Sequence, residues 1–170
     1  MIEALFKDRG LKPKARTEQL CQLLLQQQMA VPDLIAFARS AGDSPKATCI
    51  EALEFATRQD PALADTAVWE LACTSLASKA PRVKWESAKV IGNIAHRFPQ
   101  QVDEAIVPLL NNAEHTGTVV RWSAAFALCA ILRLKTKRNK ELVPAIEAIL
   151  ASETNNAVRK QYQAALKAIM

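Results

Sequence analysis

Apolar residues recur along this chain at steps of three and four, and the pattern itself returns every 37 or 38 residues. Val83, Ile91 and Ile94 are answered by Val120, Leu128 and Ile131, then by Val158, Leu166 and Ile169. Upstream, Pro45, Leu53 and Ala56 hold the same places 38 residues earlier. Steps of three and four put such residues on one face of a helix. The pattern predicts a first helix in each unit near 44–58, 81–97, 118–134 and 155–169. A second set follows. Ala64, Val68, Leu71 and Ala72 are matched by Val102, Ile106, Leu109 and Leu110, and again by Leu142, Ile146, Ile149 and Leu150. These predict second helices near 61–78, 100–113 and 140–152.

Local signals agree with that division. Pro45, Pro61, Pro81 and Pro99 suit a first helical turn, where the missing N–H is harmless. Asp60-Pro61 reads as an N-cap followed by the first helical residue. The leading segment is a weaker copy. Leu20, Leu23, Leu24 and Leu25 mark a helix between Ala15 and Met29. Leu34, Ile35, Phe37 and Ala38 mark another from Val31 to Ser40, stopped by Ala41-Gly42. A short helix is expected at Ile2–Lys7, closed by Gly10 and Pro13.

A single helix pair has too little partner surface to bury its apolar stripe, whereas stacked pairs bury it on both sides. The expected fold is therefore all-α, a stack of about four to five helix pairs in one domain spanning 1–170; that the stack is a right-handed α-α superhelix is implied only by the family resemblance its first helices carry. It divides into a degenerate pair at 15–43, repeats at 44–80, 81–117 and 118–154, and a capping helix at 155–170. Gly92 and Cys129 fall on one equivalent place, so a small residue is expected to be required there. On the last helix, Lys160, Gln161, Gln163 and Lys167 oppose the apolar face, which suits a cap.

The first helix of the third unit reads Val120-Arg121-Trp122-Ser123-Ala124-Ala125-Phe126-Ala127-Leu128. Val83-Lys84 through Ala88 and Val90-Ile91 repeats it, as does Val158-Arg159 through Ala164-Ala165-Leu166. This phrase resembles the HEAT-like (armadillo-type) helical repeat family over residues 44–170. The resemblance implies a curved solenoid with second helices on the concave, partner-binding face. It also implies an acid a few residues before each Arg. Asp43 fits that role for Lys46, but Lys79, Glu114 and Asn155 stand near the later copies.

Composition narrows the function rather than naming it. Half the residues are hydrophobic and only 5% are aromatic, with four glycines. Disorder and loop-rich folds are excluded. A net charge of +5 favours an acidic partner only if the cations cluster. Cys21, Cys49, Cys73 and Cys129 have no C-x-x-C spacing and only His96 and His115 accompany them, which points to reduced core thiols and not to a metal or cofactor site. The charged, short N-terminus does not read as a signal peptide, and no run of 18 apolar residues is present. A soluble, cytoplasmic protein is expected.

Three features are candidates for contact with a partner. Lys46, Lys84, Arg121 and Arg159 form a basic row, either binding acids or capping the turns. The turn inside the third pair is three residues longer than its counterparts and carries Arg133, Lys135, Lys137, Arg138 and Lys140, which either bind a polyanion or simply stay solvated. Trp85 and Trp122 are equivalent by register and Trp69 lies on a second helix; they are either anchors or packing. The expected function is a non-enzymatic scaffold binding a protein partner in its concave groove. The alternative is a nucleic-acid-binding module using the basic loop and row, including a remote DNA alkylation-repair-like reading. No small-molecule substrate is evident.

Overall fold

The computed structural model describes residues 1–170, and every residue in an α-helix lies close to where the apolar periodicity places one. Ten helices follow in order: α1 Ile2–Lys7, α2 Pro13–Leu25, α3 Val31–Ser40, α4 Asp43–Gln59, α5 Thr66–Ser75, α6 Pro81–Ile94, α7 Asp103–Asn112, α8 Thr118–Arg133, α9 Asn139–Ser152 and α10 Asn156–Ile169. There is no strand.

The departures from expectation have local causes. The second helix expected over 61–78 is broken. Pro61–Leu63 is a 3-10 turn capped by the Asp60 side chain, and α5 restarts behind Asp65, whose Oδ1 accepts from the Val68 N–H. The first helix expected to reach residue 97 tightens into a 3-10 turn over Ala95–Arg97. Pro99 lies outside any helix, and α7 begins at Asp103. Pro45 is the third residue of α4, not its first. The helix expected to run to Met29 stops at Leu25, because Gln27 takes a left-handed φ of 57° and the N–H groups of Gln28 and Met29 turn back to the Leu23 carbonyl. Residues in that conformation end helices.

The helices form two rows. α2, α4, α6, α8 and α10 lie side by side, each packed along its neighbour; α3, α5, α7 and α9 make the other row and approach one another far less closely. Ala88, Ala124, Ala125, Ala127 and Ala165 are all fully buried, and such small residues let the first-row helices come together. At Gly92 the packing is tightest: a Cβ there would sit 2.2 Å from Phe126 Cε1 on the next first-row helix. The equivalent Cys129 faces α10, where its Sγ meets the Gln161 carbonyl at 3.4 Å.

The first-row helices approach one another more closely than the second-row helices. The resemblance implied that the second helices line the concave face; the closer packing of the first row favours the opposite side. One hydrophobic cluster runs without interruption from Ile2 to Ala165, with Trp69, Leu76, Ile91, Ile94, Leu109, Leu128 and Tyr162 among its buried members. No central pit interrupts it.

Candidate functional site

Three of the four residues in the basic row turn back into the stack. Lys84 Nζ donates to the Leu76 carbonyl (3.3 Å) and to Asn112 Oδ1 (3.1 Å). Arg121 donates through Nε to Glu153 Oε2 (2.9 Å) and through Nη1 to the carbonyls of His115 and Thr116. Arg159 Nη1 donates to the carbonyls of Leu150 (2.7 Å) and Glu153 (2.8 Å). These cations close the turns between units and are not offered as a free row. Lys46 is half-buried and makes no ion pair with Asp43. The acid for Arg121 comes from the following unit, across 32 residues of chain. Burial pushes the Glu153 carboxyl up, but hydrogen bonds from Arg121 and from the Asn155 and Thr154 N–H groups outweigh it and hold it below the usual range.

Trp69 is corrected in the same way. It has no exposed surface, its ring stacks on Phe98 at 5.1 Å, and its Nε1 donates to Glu104 Oε2. It is a core residue joining α5 to α7, not a contact residue.

Trp85 and Trp122 behave differently. Val119, Trp122 and Phe126 are spaced by three and four on α8, so they share one face. Val119 is 53% exposed and Trp122 36%, and Trp122 lies parallel to Phe126 with centroids 5.8 Å apart. Trp85 and Lys89 occupy the matching face of α6, and Glu51, Phe55 and Arg58 that of α4. Polar links cross the row. Arg82 Nη2 donates to Glu51 Oε2 (2.7 Å), which also accepts from Thr17 on α2. Asn93 Nδ2 donates to the Glu54 carbonyl. The solvent side of the first row is thus an aromatic and charged strip on a rigid base.

Within this strip Glu86 is buried. Its Oε1 accepts from Trp85 Nε1 (2.9 Å), and Lys89 Nζ lies 3.2 Å from Oε2. Burial pushes this carboxyl above its usual range, with Lys89 and the Trp85 hydrogen bond pulling against it. Sequence reasoning missed both Glu86 and Phe126. Register offered a signal for Phe126, since it sits four residues after Trp122.

The second row opens between α7 and α9. A groove of about 660 Å³ is lined by Leu110, Ala113, Ala145, Ala148 and Ile149 and ends at His115 and the Arg121–Glu153 pair. A second hollow of about 310 Å³ continues it toward the α8–α9 turn, walled by Ile106, Val107, Leu110 and Leu142 with Asp103, Arg138 and Glu141. That turn covers only 134–138. Contrary to the register, it is not longer than its counterparts at 60–65 and 95–102, because the extra residues extend α8 to Arg133 and start α9 at Asn139. At that end Arg138 pairs with Asp103, tying α9 to α7. Arg133, Lys135, Lys137 and Lys140 are exposed and take part in no ion pair.

The thiols are unsuited to nucleophilic work. All four are buried, and burial pushes Cys49, Cys73 and Cys129 up to about 12. His115 Nδ1 accepts the Gly117 N–H and serves a turn. No helix is long and apolar enough to cross a membrane.

No protein-family model and no curated protein matches the sequence. Solved structures do. A computationally designed armadillo repeat protein for modular peptide recognition aligns with a TM-score of 0.76 at 19% identity, covering 98% of this chain and 79% of that one. The complex of CpcE and CpcF of phycocyanin lyase, from a Nostoc species, aligns with a TM-score of 0.74 at 22% identity, covering 97% of each chain. A designed armadillo repeat protein in complex with the peptide (KR)4 aligns with a TM-score of 0.55 at 18% identity, covering 99% and 98%. With the two-row stack already described, these likenesses establish that the chain has the armadillo/HEAT-like helical repeat fold.

Proposed function

We propose that this chain is a non-enzymatic α-solenoid scaffold that holds a segment of a protein partner along its concave, first-row face. The observation that carries this reading is the Val119–Trp122–Phe126 strip, where two stacked aromatics stay partly in water on the tightest-packed part of the fold. Rigid, half-exposed aromatics bury much area at small entropic cost when a partner arrives. Charged pairs on α4 and α6 beside them supply orientation. Two of the structural neighbours are described as designs that recognise or hold a peptide, and a third as a complex of CpcE and CpcF, which supports a protein-binding use. A photo-activatable cross-linker placed at Val119 tests it in the native host. A discrete protein adduct that disappears with Trp122→Ala is expected; adducts indifferent to that substitution contradict the reading.

A second reading rests on Arg133, Lys135, Lys137 and Lys140, the exposed cations without acid partners. They suit the phosphates of a nucleic acid. Retention of the protein on duplex DNA at physiological salt, lost with Lys137→Glu, is the result that favours it.

A further inference from the structure

The free charges around the aromatic strip are all of one sign. On α8, Arg133 follows Phe126 by seven residues, about two helical turns, and so shares the face of Val119, Trp122 and Phe126. On α10, Lys160 holds the place that Trp122 holds on α8, 38 residues earlier, and Ala157 and Ala164 match Val119 and Phe126 in the same way. Gln161 Nε2 donates to the Trp122 carbonyl (3.1 Å), which fixes α10 beside α8 at this level. Arg133, Lys160 and Lys167 are exposed and none is in an ion pair. The cations on the other flank are already engaged, Lys89 by Glu86 and Arg82 by Glu51. Those two acids offer nothing to a newcomer, since Glu86 is buried and Glu51 also accepts from Thr17. The exposed acids Glu114 and Glu141 line the hollows on the second row.

We infer that the partner segment held on this face carries acidic residues beside an apolar anchor, the anchor seated on Trp122 and Phe126 and the acids meeting Arg133 and Lys160. This rests on the scaffold reading above and names the chemistry of what the scaffold holds. The dimensions fit. Seven residues of α8 put Arg133 about 10 Å from Phe126 along the helix axis. One helix-to-helix step of about 8–10 Å separates Trp122 from Lys160. An extended chain covers either distance in about three residues. Single-stranded nucleic acid would also bring negative charge, but its bases need open aromatic faces. Trp122 and Phe126 lie within 4° of parallel with centroids 5.8 Å apart, so each covers a face of the other. What stands open beside them is aliphatic: Val119, with Ala157 and Ala164. Apolar side chains bury that surface, and carboxylates complete it at the cationic rim.

A displayed library of random segments of about 12 residues, selected on the full chain, tests the assignment. Enriched segments are expected to join an apolar anchor to two or more acids, and their binding should fall about tenfold or more with Trp122→Ala. Arg133→Glu and Lys160→Glu, both at exposed positions, should each weaken it about threefold. The double reversal should recover binding to a segment whose acids are changed to lysine, an exchange that damage to the fold would not produce. Segments that need Trp122 but are basic or uncharged, or that ignore both reversals, overturn the acidic assignment and leave the scaffold reading in place. If no enriched segment responds to Trp122→Ala, both are overturned. An oligothymidylate of about 15 bases that needs Trp122 and binds more tightly than every enriched segment overturns the assignment in favour of a nucleic acid.

Discussion

Gly92→Ala examines the packing of the first row at its closest point. An alanine Cβ would stand 2.2 Å from Phe126 Cε1 and 2.4 Å from Cδ1. Carbon atoms settle at about 3.5–4.0 Å, so the ring has to retreat by more than 1 Å, and it is held in place by its stack on Trp122. Overpacking of this size costs about 1–3 kcal/mol. Alanine in a helix interior returns about 1 kcal/mol relative to glycine. The single variant should therefore lose between about 0 and 2 kcal/mol by these two terms. The sharper quantity is the coupling with Phe126. In a Phe126→Ala background the obstacle is gone, and Gly92→Ala should stabilise the protein by about 0.5–1 kcal/mol. Urea unfolding of the wild type, both single variants and the double variant gives a coupling energy, expected at about 1–3 kcal/mol. Additivity within about 0.5 kcal/mol would refute the stated contact. Tryptophan emission from Trp122 should shift in Gly92→Ala as the stack is disturbed.

Three further outcomes follow from the same geometry. Arg121→Met leaves Glu153, whose side chain is 3% exposed, without its cation and should cost about 3 kcal/mol in chemical denaturation; because the Glu153 carboxyl is depressed when folded, the stability it contributes is present above its ordinary pKa and lost as pH falls through the depressed one, and this acid-side loss should shrink in the variant, which keeps only the Asn155 and Thr154 N–H groups. Glu86→Gln acts with the opposite sign: a carboxyl raised on folding destabilises the native state as pH climbs through the raised value, so the variant should melt higher than wild type near neutrality and the gap should close as pH falls toward the ordinary carboxylate range. A gap independent of pH would contradict the burial assigned to Glu86. Lys135→Gly relieves a left-handed residue and should stabilise by up to about 1 kcal/mol, while Lys135→Val should destabilise, both read from urea midpoints.

Much of the architecture was legible because periodicity reports burial directly. Val83, Val120 and Val158 are all fully or almost fully buried, as equivalence requires. Helix ends were less legible. Nothing in Gln26-Gln27-Gln28 distinguishes a residue that will turn left-handed from one that continues the helix, and Pro99 carries the same local signal as Pro81 though only one starts a helix. Which row packs the more closely was not legible, because pattern identifies which face of a helix is apolar, not how near neighbouring helices come. The candidate site was legible in part. Register put Trp85 and Trp122 together, and it drew attention to the cations of the α8–α9 turn, although the extra residues it counted there belong to the ends of the two helices. Trp69 has the same residue type and chemistry as the other two, and only its place against Phe98 and Glu104 removes it from the surface. The hollow between α7 and α9 was not legible at all, because it is a relation between residues that are individually ordinary.

The most direct test of the layered stack is the distance between spin labels at Gln22 on α2 and Gln163 on α10, both exposed, with the native thiols buried and slow to react. Four helix-to-helix steps along the first row at 8–10 Å each predict a separation of about 32–40 Å in electron–electron resonance. A single population below about 25 Å, as two faces of a closed bundle would give, contradicts it.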